Sequence, residues 1–262
     1  NLTMSDRLLS VQVDQAMVLT ISNPEMRNAL GPNVYTTGVE ALNAAETNPD
    51  VRAVIITGEG AHFCGGGNLN RLLENRQKDP VVQAESIAAL HNWIDSIRTF
   101  PKPVIAAVEG AAAGAGLSLA LACDFVVAAD NAKFVMAYSS VGLSPDGGGS
   151  WALARALPRA TAMKMLMAAQ PMTTPDLRQL GVVSHAAAPG QALQTALNLA
   201  KDLCARAPNV LASIKELVND AADQTLSAHL AAEQKHFVKN LHHPNGGEGI
   251  RSFMEKRTAH YK

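Results

Sequence analysis

The chain has 262 residues, with 22 Lys or Arg against 23 Asp or Glu, so its formal net charge is -1. A composition of 47% hydrophobic and 17% charged residues excludes a disordered or fibrous protein. The near-neutral charge and the 4% of aromatic residues leave no basic or stacking surface for nucleic acid.

The three cysteines, Cys64, Cys123 and Cys204, are an odd number and lack the spacing of metal ligands. They predict neither a disulfide framework nor a metal site, and they favour a reduced, cytoplasmic compartment. The most apolar uncharged stretch, residues 110–123, is shorter than the roughly 20 residues of a membrane span. No membrane association is therefore expected.

Apolar periodicity predicts strands and helices that alternate along the chain, as in an α/β protein. A polar pair between the first two apolar runs predicts a β-hairpin. From residue 161 onward the pattern is mainly helical. The predicted strands are 8–13, 17–22, 51–57, 104–108, 125–128, 134–136 and 182–183. The predicted helices are 32–45, 69–76, 83–98, 117–122 and one that begins near residue 150.

Three glycine-rich loops each follow a strand-like run and lead into a helix. They are the first glycine loop (64–68), the second glycine loop (110–116) and the third glycine loop (145–149). In α/β folds such loops lie where strands end, and the helix N-termini that follow them are polarised positive. If the three loops converge, they line a site with backbone amides.

Two familiar motifs fit these loops poorly. The dinucleotide-binding pattern G-x-G-x-x-G fails at its last glycine, which would fall on Asn70 if it started at Gly65 and on Leu119 if it started at Gly114. The Gly-Lys-Ser/Thr of a phosphate-binding loop occurs in none of the three loops. The segment around Ser118 matches the G-x-S-x-G nucleophile elbow except at its last glycine. A small buried serine in a helix is the preferred interpretation of Ser118, and a nucleophile is the alternative.

The remaining interpretation of the loops is an oxyanion-binding site. Small residues at Gly67 and Ala115 let backbone N–H groups approach a ligand carbonyl closely. Two such donors stabilise an enolate or a tetrahedral oxyanion, each by about 3 kcal/mol. The alternative is that these loops are simple tight turns.

Four segments, in order and sensibly spaced between about residues 18 and 257, resemble the crotonase (enoyl-CoA hydratase/isomerase) family. NPEMRNAL at 23–30 is similar to the family's P-x-x-x-N-A-L, and FCGGGNL at 63–69 to its F-x-A-G-A-D-L loop. KPVIAAVEGAAAGAG at 102–116 is similar to K-P-V-I-A-A-V-x-G-x-x-x-G-G-G, and EGIRSFMEKR at 248–257 to the family's C-terminal helix.

The resemblance implies an α/β fold of the crotonase type: a spiral of ββα units over residues 4–190 and a C-terminal helical region over 191–262 that supports trimerisation. It implies a homotrimer or a hexamer, and an acyl-CoA substrate. Coenzyme A is then part of the substrate, so no separate cofactor is expected.

The resemblance also implies roles for particular residues. The N–H groups of Gly67 and Ala115 would hold the thioester carbonyl. The segment around Arg27 and Ala29 would contact the adenosine end, although Arg27 could equally be a solvated surface charge. The residues that would line the pantetheine and acyl path are Gly65, Asn68 and Leu69.

The departures from the family pattern bear on the chemistry. Where hydratases carry two glutamates, this chain has Ser118 and Tyr138, so ordinary hydration of an enoyl thioester is not expected. Asn68 replaces an aspartate that is structural in the family. Asp146 is the acidic residue that remains, at a place where several isomerases and a dehalogenase branch of the family carry an aspartate. The alternative is that Asp146 is a turn or helix-capping residue. Tyr138 would orient the substrate or donate a proton, and the alternative is that its side chain only packs in the core. His91 lies on a predicted helix and is assigned no role.

A lone carboxylate beside an oxyanion hole suits proton transfer. The preferred function is double-bond isomerisation, resembling isomerases that act on enoyl-CoA or oxepin-CoA in fatty acid metabolism or phenylacetate degradation. The alternatives are an enoyl-CoA hydratase, nucleophilic hydrolase or dehalogenase chemistry through Ser118 or Asp146, and a non-catalytic acyl-CoA-binding protein.

Overall fold

The computed structural model describes residues 7–262, so residues 4–6 of the predicted core lie outside the described part. The strands are β1 (Arg7–Val13), β2 (Ala16–Ser22), β3 (Ala53–Gly58), β4 (Val104–Val108), β5 (Ala111–Ala113), β6 (Phe125–Ala129), β7 (Lys133–Val135), β8 (Met172–Thr173) and β9 (His185–Ala187). The helices are α1 (Pro32–Thr47), α2 (Leu69–Asn75), α3 (Pro80–Thr99), α4 (Ala115–Ala122), α5 (Gly149–Ala156), α6 (Arg159–Met167), α7 (Thr174–Gln179), α8 (Ala192–Cys204), α9 (Pro208–Ala221), α10 (Leu226–His242) and α11 (Pro244–Glu255).

The larger sheet has six strands in the order β1-β2-β3-β4-β6-β9. Strands β1 and β2 form the predicted antiparallel hairpin, and every other pair in this sheet is parallel. A smaller sheet of order β5-β7-β8 lies beside it. The predicted α/β class, with parallel strands connected through helices, is confirmed.

The larger sheet is buried on both faces at its central strands β3 and β4, which explains why these two strands are almost entirely apolar. Val54 and Ile56 of β3 point into the main core, where helices α1, α3 and α4 pack, whereas Ile55 points into a second core. Helix α8 covers that second face with residues spaced four apart. Its buried residues are Ala192, Ala196, Ala200 and Cys204.

Because α8 packs on the sheet, it shares a core with the strands although the sequence assigns it to the C-terminal region. The boundary near residue 190 stays a prediction. Helices α9, α10 and α11 follow it and pack on one another. Lys215 of α9 is tied to the core, where its Nζ donates to the carboxylate of Asp124 at 2.8 Å and to the Ile97 carbonyl at 2.9 Å. Within residues 7–262, no helix combines the length and apolar character needed to cross a membrane.

The prediction of a strand at 182–183 is wrong, because the last strand of the sheet is β9. The backbone N–H groups of Val182 and Val183 both donate to the carbonyl of Leu177, at 2.8 and 3.1 Å, and so close the C-terminus of α7. Pairing with β6 begins only at Ser184, whose N–H donates to Val126. The two valines are buried or half-buried by side-chain packing without belonging to the sheet.

The second glycine loop also differs from its prediction, because three of its residues form strand β5. This strand pairs in parallel with β7. It consists of three alanines, which lack the β-branched and aromatic side chains that identify a strand in a sequence. The pairing places the start of α4 directly after a sheet edge.

We predict that Gly38→Ala destabilises the protein. A Cβ at Gly38 in α1 would overlap the indole ring of the fully buried Trp93 in α3. Alanine gains about 1 kcal/mol of helix propensity over glycine, but overpacking a core costs about 1–3 kcal/mol. The net expectation is a lower free energy of unfolding in urea. Thr36→Ala, at an exposed position of the same helix, is the control; a more stable Gly38→Ala protein would contradict the packing seen here.

Candidate active site

The three glycine loops meet at one cavity of about 450 Å³. Gly67 of the first loop, Ala115 at the end of the second and Asp146 of the third all line it. The cavity is also lined by Gly65, Asn68, Leu69 and Tyr138, which the sequence analysis assigned to substrate binding. The structure therefore brings seven of the nine candidate residues together.

Short backbone hydrogen bonds hold the first and second loops against each other. The N–H of Cys64 donates to Ala111 at 3.1 Å, and the N–H of Ala113 donates back to Cys64 at 2.9 Å. Gly116, in the first turn of α4, lies so close to Cys64 that a Cβ there would overlap the Cys64 carbonyl oxygen and approach its Cβ to 2.8 Å. The first turn of α4 can take this place only because residue 116 is glycine.

Two residues that line the cavity, Gly67 and Ala115, have backbone amides without an acceptor among residues 7–262. Ala115 is the first residue of α4, and such an amide has no acceptor inside its own helix. The Gly67 amide likewise donates to no acceptor within residues 7–262, and a Cβ at Gly67 would meet no atom within 4 Å. Of the two, only Ala115 stands at the polarised start of a helix, and Gly67 belongs to the first glycine loop. Two free donors of this kind can bind a carbonyl oxygen that gains negative charge if both point at it.

Asp146 is held at the rim of the cavity by Tyr138 and Ser118. The hydroxyl of Tyr138 donates to Asp146 Oδ1 at 2.6 Å, and the hydroxyl of Ser118 donates to the Asp146 carbonyl at 2.9 Å. Burial raises the pKa of Tyr138, and the Asp146 carboxylate raises it further, so the phenol remains a protonated donor. Oδ2 of Asp146 accepts no hydrogen bond from the described residues, which leaves one carboxylate oxygen to take a proton.

Ser118 is a buried structural serine, with only 2% of its surface exposed. A Cβ at Gly147 would lie 2.9 Å from the Cβ of Ser118, and a Cβ at Gly149 would lie 2.5 Å from its Oγ. The third glycine loop therefore fills the space into which a longer side chain at residue 118 would extend. The Ser118 hydroxyl contacts two carbonyl oxygens and the Tyr138 phenol. No basic side chain among residues 7–262 forms a hydrogen bond with it that would activate it as a nucleophile.

Sequence reasoning gave His91 no role, yet it supports the third glycine loop. Its Nε2 accepts the backbone N–H of Gly147 at 2.9 Å, so α3 anchors the residue next to Asp146. His91 occupies an exposed position of α3 and precedes Gly147 by 56 residues in the chain. A lone exposed histidine carries no sequence signal for such a contact.

Arg27 and Ala29 do not line the cavity. Arg27 is exposed and its carbonyl accepts the N–H of Gly65 at 2.7 Å, while Ala29 is buried. The segment is held by Asn28, whose fully buried side-chain amide donates to the carbonyls of Glu59 and His62. Asn28 was part of the quoted motif but was given no role of its own.

Asn68 begins helix α2. Its side-chain oxygen accepts the backbone N–H of Arg71 at 3.3 Å, which is the helix-capping bond that an aspartate would also make. The replacement of the family's aspartate by Asn68 therefore retains the helix start.

Cys64 is excluded as a nucleophile despite its place in the first glycine loop. Burial raises the pKa of its thiol to about 12, because a thiolate would lose its hydration there. The part of the chain that the structure describes also contains no group of three or more His, Cys, Asp or Glu side chains that could hold a metal ion.

Comparison with known proteins identifies the class. The model of the Enoyl-CoA hydratase/isomerase family matches residues 13–262, so the chain belongs to this family. It is 33% identical to the 1,2-epoxyphenylacetyl-CoA isomerase of Escherichia coli, over 98% of this chain and 99% of that one. It is also 33% identical to the 2,3-dehydroadipyl-CoA hydratase of the same organism, over 99% of each chain.

Solved structures confirm the crotonase fold. The crystal structure of an enoyl-CoA hydratase from Polaromonas sp. JS666 matches with a TM-score of 0.97 and 65% identity, over 97% of this chain and 99% of that one. The family and the fold inferred from the motifs are therefore both confirmed. The relatives carry the names of isomerases and of hydratases, so family membership alone does not decide between the two reactions.

We predict that His91→Ala loosens the third glycine loop. Loss of the acceptor for the Gly147 N–H removes a hydrogen bond whose net contribution is about 1 kcal/mol, so amide hydrogen exchange around residues 143–150 should accelerate about fivefold. His91→Gln keeps a side-chain acceptor and should retain much of the protection. Asn92→Ala, at the neighbouring exposed position, is the control. Unchanged exchange in His91→Ala would contradict the anchoring role.

Proposed function

We propose that this protein is an enoyl-CoA isomerase that moves a double bond with Asp146 as its acid and base. The observation that carries the proposal is the lining of the cavity by described residues: one carboxylate, Asp146, and two amides without a protein acceptor, at Gly67 and Ala115. One proton carrier and one anion-binding site are the parts that isomerisation requires.

The reaction would begin with removal of a carbon-bound proton. Oδ2 of Asp146 takes a proton from the carbon next to, or conjugated with, the thioester carbonyl. The electron pair of the broken C–H bond moves through the conjugated system to the carbonyl oxygen, where the N–H groups of Gly67 and Ala115 stabilise the dienolate. Asp146 then returns the same proton to a different carbon, so nothing is gained or lost overall. Tyr138, as a permanent donor to Oδ1, keeps Oδ2 directed at the substrate.

Hydration is less well supported, because it uses two carboxylates to position and split a water molecule in the family. The equivalent positions here hold Ser118 and Tyr138. The space beyond Ser118 is filled by Gly147 and Gly149, and Tyr138 already donates to Asp146. Among the described residues that line the cavity there is therefore no second carboxylate, and the close packing around Ser118 disfavours a longer side chain there.

The same geometry supports a path for the substrate. Gly65, Asn68, Leu69 and Tyr138 line the cavity and would contact the pantetheine and acyl parts. The assignment of Arg27 and Ala29 to the adenosine end rests on the motif, and the Gly65–Arg27 backbone bond supports it by joining that segment to the cavity edge. Coenzyme A would arrive as part of the substrate, without a separate cofactor.

A place in phenylacetate degradation is supported by the similarity to a 1,2-epoxyphenylacetyl-CoA isomerase. A role in fatty acid metabolism is the alternative within the same chemistry. The cytoplasmic location stays a prediction from the cysteine content.

We predict that Asp146→Asn abolishes isomerisation but leaves acyl-CoA binding within about twofold of wild type. Asparagine keeps the shape and can still accept the Tyr138 hydrogen bond, but it cannot carry the proton; removal of a general base typically costs about 100-fold to 10,000-fold in rate. The measurement is turnover of 3-enoyl-CoA and hydration of crotonyl-CoA, with dissociation constants from calorimetry.

Asp95→Asn, an exposed aspartate on α3 outside the cavity, serves as the matched control and should behave as wild type. Equal turnover by Asp146→Asn and wild type would refute the assignment. Faster hydration than isomerisation by wild type would favour the hydratase, and a covalent adduct in mass spectrometry would favour nucleophilic catalysis by Asp146.

We further propose that the protein assembles as a homotrimer, or a hexamer of two trimers, through its C-terminal helices. Helices α9 to α11 form a groove of about 980 Å³, and large apolar side chains stay exposed on them. Phe253 is 85% and Phe237 is 70% exposed, a degree of apolar exposure that is typical of an interaction surface.

We predict that light scattering gives a mass of three or six chains for wild type, and that Phe253→Glu lowers it to that of smaller species. A charge in an apolar interface would remain desolvated and unpaired. Val11→Glu, which places the same charge on an exposed position of β1, should leave the mass unchanged. A monomeric wild-type protein would contradict the assembly.

A further inference from the structure

One wall of the cavity, formed by α2 and α3, carries a polar cluster that proton transfer does not use. Among the described residues that line the cavity, the charged side chains are Asp146 and Arg71. Arg71 has no carboxylate within 4.0 Å in residues 7–262, and its Nη2 donates to the hydroxyl of Ser86 at 3.2 Å. A half-buried cation without an acidic partner is free to pair with a negatively charged group of a ligand.

The neighbours of Arg71 also present hydrogen-bond donors. Gln83 lines the cavity, and its side-chain oxygen accepts the amide of the buried Asn75 at 2.7 Å, so its own N–H₂ group is left to donate. Ser86 accepts from Arg71 through its oxygen, which leaves its O–H to donate. Arg71, Gln83 and Ser86 therefore form a donor cluster with one positive charge.

We infer that this donor cluster binds a carboxylate carried by the acyl chain of the substrate, so that the preferred substrate is a dicarboxylic or otherwise carboxylated acyl-CoA. The inference rests on the proposed acyl-CoA function. The Gly67 and Ala115 amides hold the thioester end, while Leu72, Ile87 and Leu90 supply apolar lining for the carbon chain. A planar guanidinium with neighbouring donors matches the geometry of a carboxylate.

A phosphate of coenzyme A is also an anion that the donor cluster can bind. The test must therefore distinguish a carboxylate on the acyl chain from a phosphate of coenzyme A. Binding of saturated acyl-CoA esters, which cannot be isomerised, is measured by calorimetry. Succinyl-, adipoyl- and suberoyl-CoA are each compared with the uncharged butanoyl, hexanoyl or octanoyl ester. In wild type, at least one carboxylated ester should bind about tenfold or more tightly than its uncharged partner.

Arg71→Met should remove this preference by weakening only the carboxylated esters. Gln83→Glu keeps the acceptor for Asn75 but replaces a donor by a negative charge, and it should have the same selective effect. Arg76→Met, an exposed arginine outside the cavity, is the matched control and should change neither class. Thermal unfolding of each variant shows whether it is folded.

Two results would overturn the inference. Equal binding of charged and uncharged esters by wild type would show that no carboxylate is recognised. Equal weakening of both classes by Arg71→Met would assign Arg71 to the phosphates instead. Because these experiments measure binding of unreactive esters, absence of isomerase turnover would refute the proposed reaction without affecting this result, whereas failure of every ester to bind would refute both.

Discussion

The site depends on the close approach of the first turn of α4 to the first glycine loop. Gly116 permits that approach, because any side chain at this position would overlap Cys64. The two loops are then held by reciprocal backbone hydrogen bonds, and the amides of Gly67 and Ala115 find no acceptor in the described part of the chain. Unused N–H groups are normally a cost to a fold. In the proposed reaction, the thioester oxygen of the substrate would accept from both of them.

The chemistry at this site is decided by what surrounds the amides. Tyr138 and Ser118 are bonded to Asp146, one through its carboxylate and the other through its carbonyl, so they position a single acidic group. The loop that carries Asp146 is in turn anchored by His91. In the proposed reaction this gives the cavity one proton carrier with a fixed orientation. The polar side chains of α2 and α3 would then be available to select the acyl group.

Much of this arrangement could be predicted from the sequence, because local signals were strong. The residues of β4 are all apolar, as a strand buried on both faces must be, and the glycine loops marked the ends of strands. Strand β5 was missed since alanines carry no strand signal. The valine pair at 182–183 was mistaken for a strand because two β-branched residues are typical of one, whereas their backbone amides close helix α7. The roles of His91 and Arg71 depend on contacts between distant parts of the chain, which no local pattern contains.

The tight fit among Ser118, Gly147 and Gly149 has an evolutionary consequence. A single change that introduces a glutamate at residue 118 would strike the third glycine loop before it could serve a new reaction. Gly147 and Gly148 have φ angles of +66° and +78°, a backbone conformation that disfavours other residues, so the loop cannot easily adjust by substitution. A longer acidic side chain at residue 118 would therefore require the helix position and the loop to change together. The start of α4 and the third glycine loop are coupled in this way, so that a larger residue in one needs a compensating change in the other.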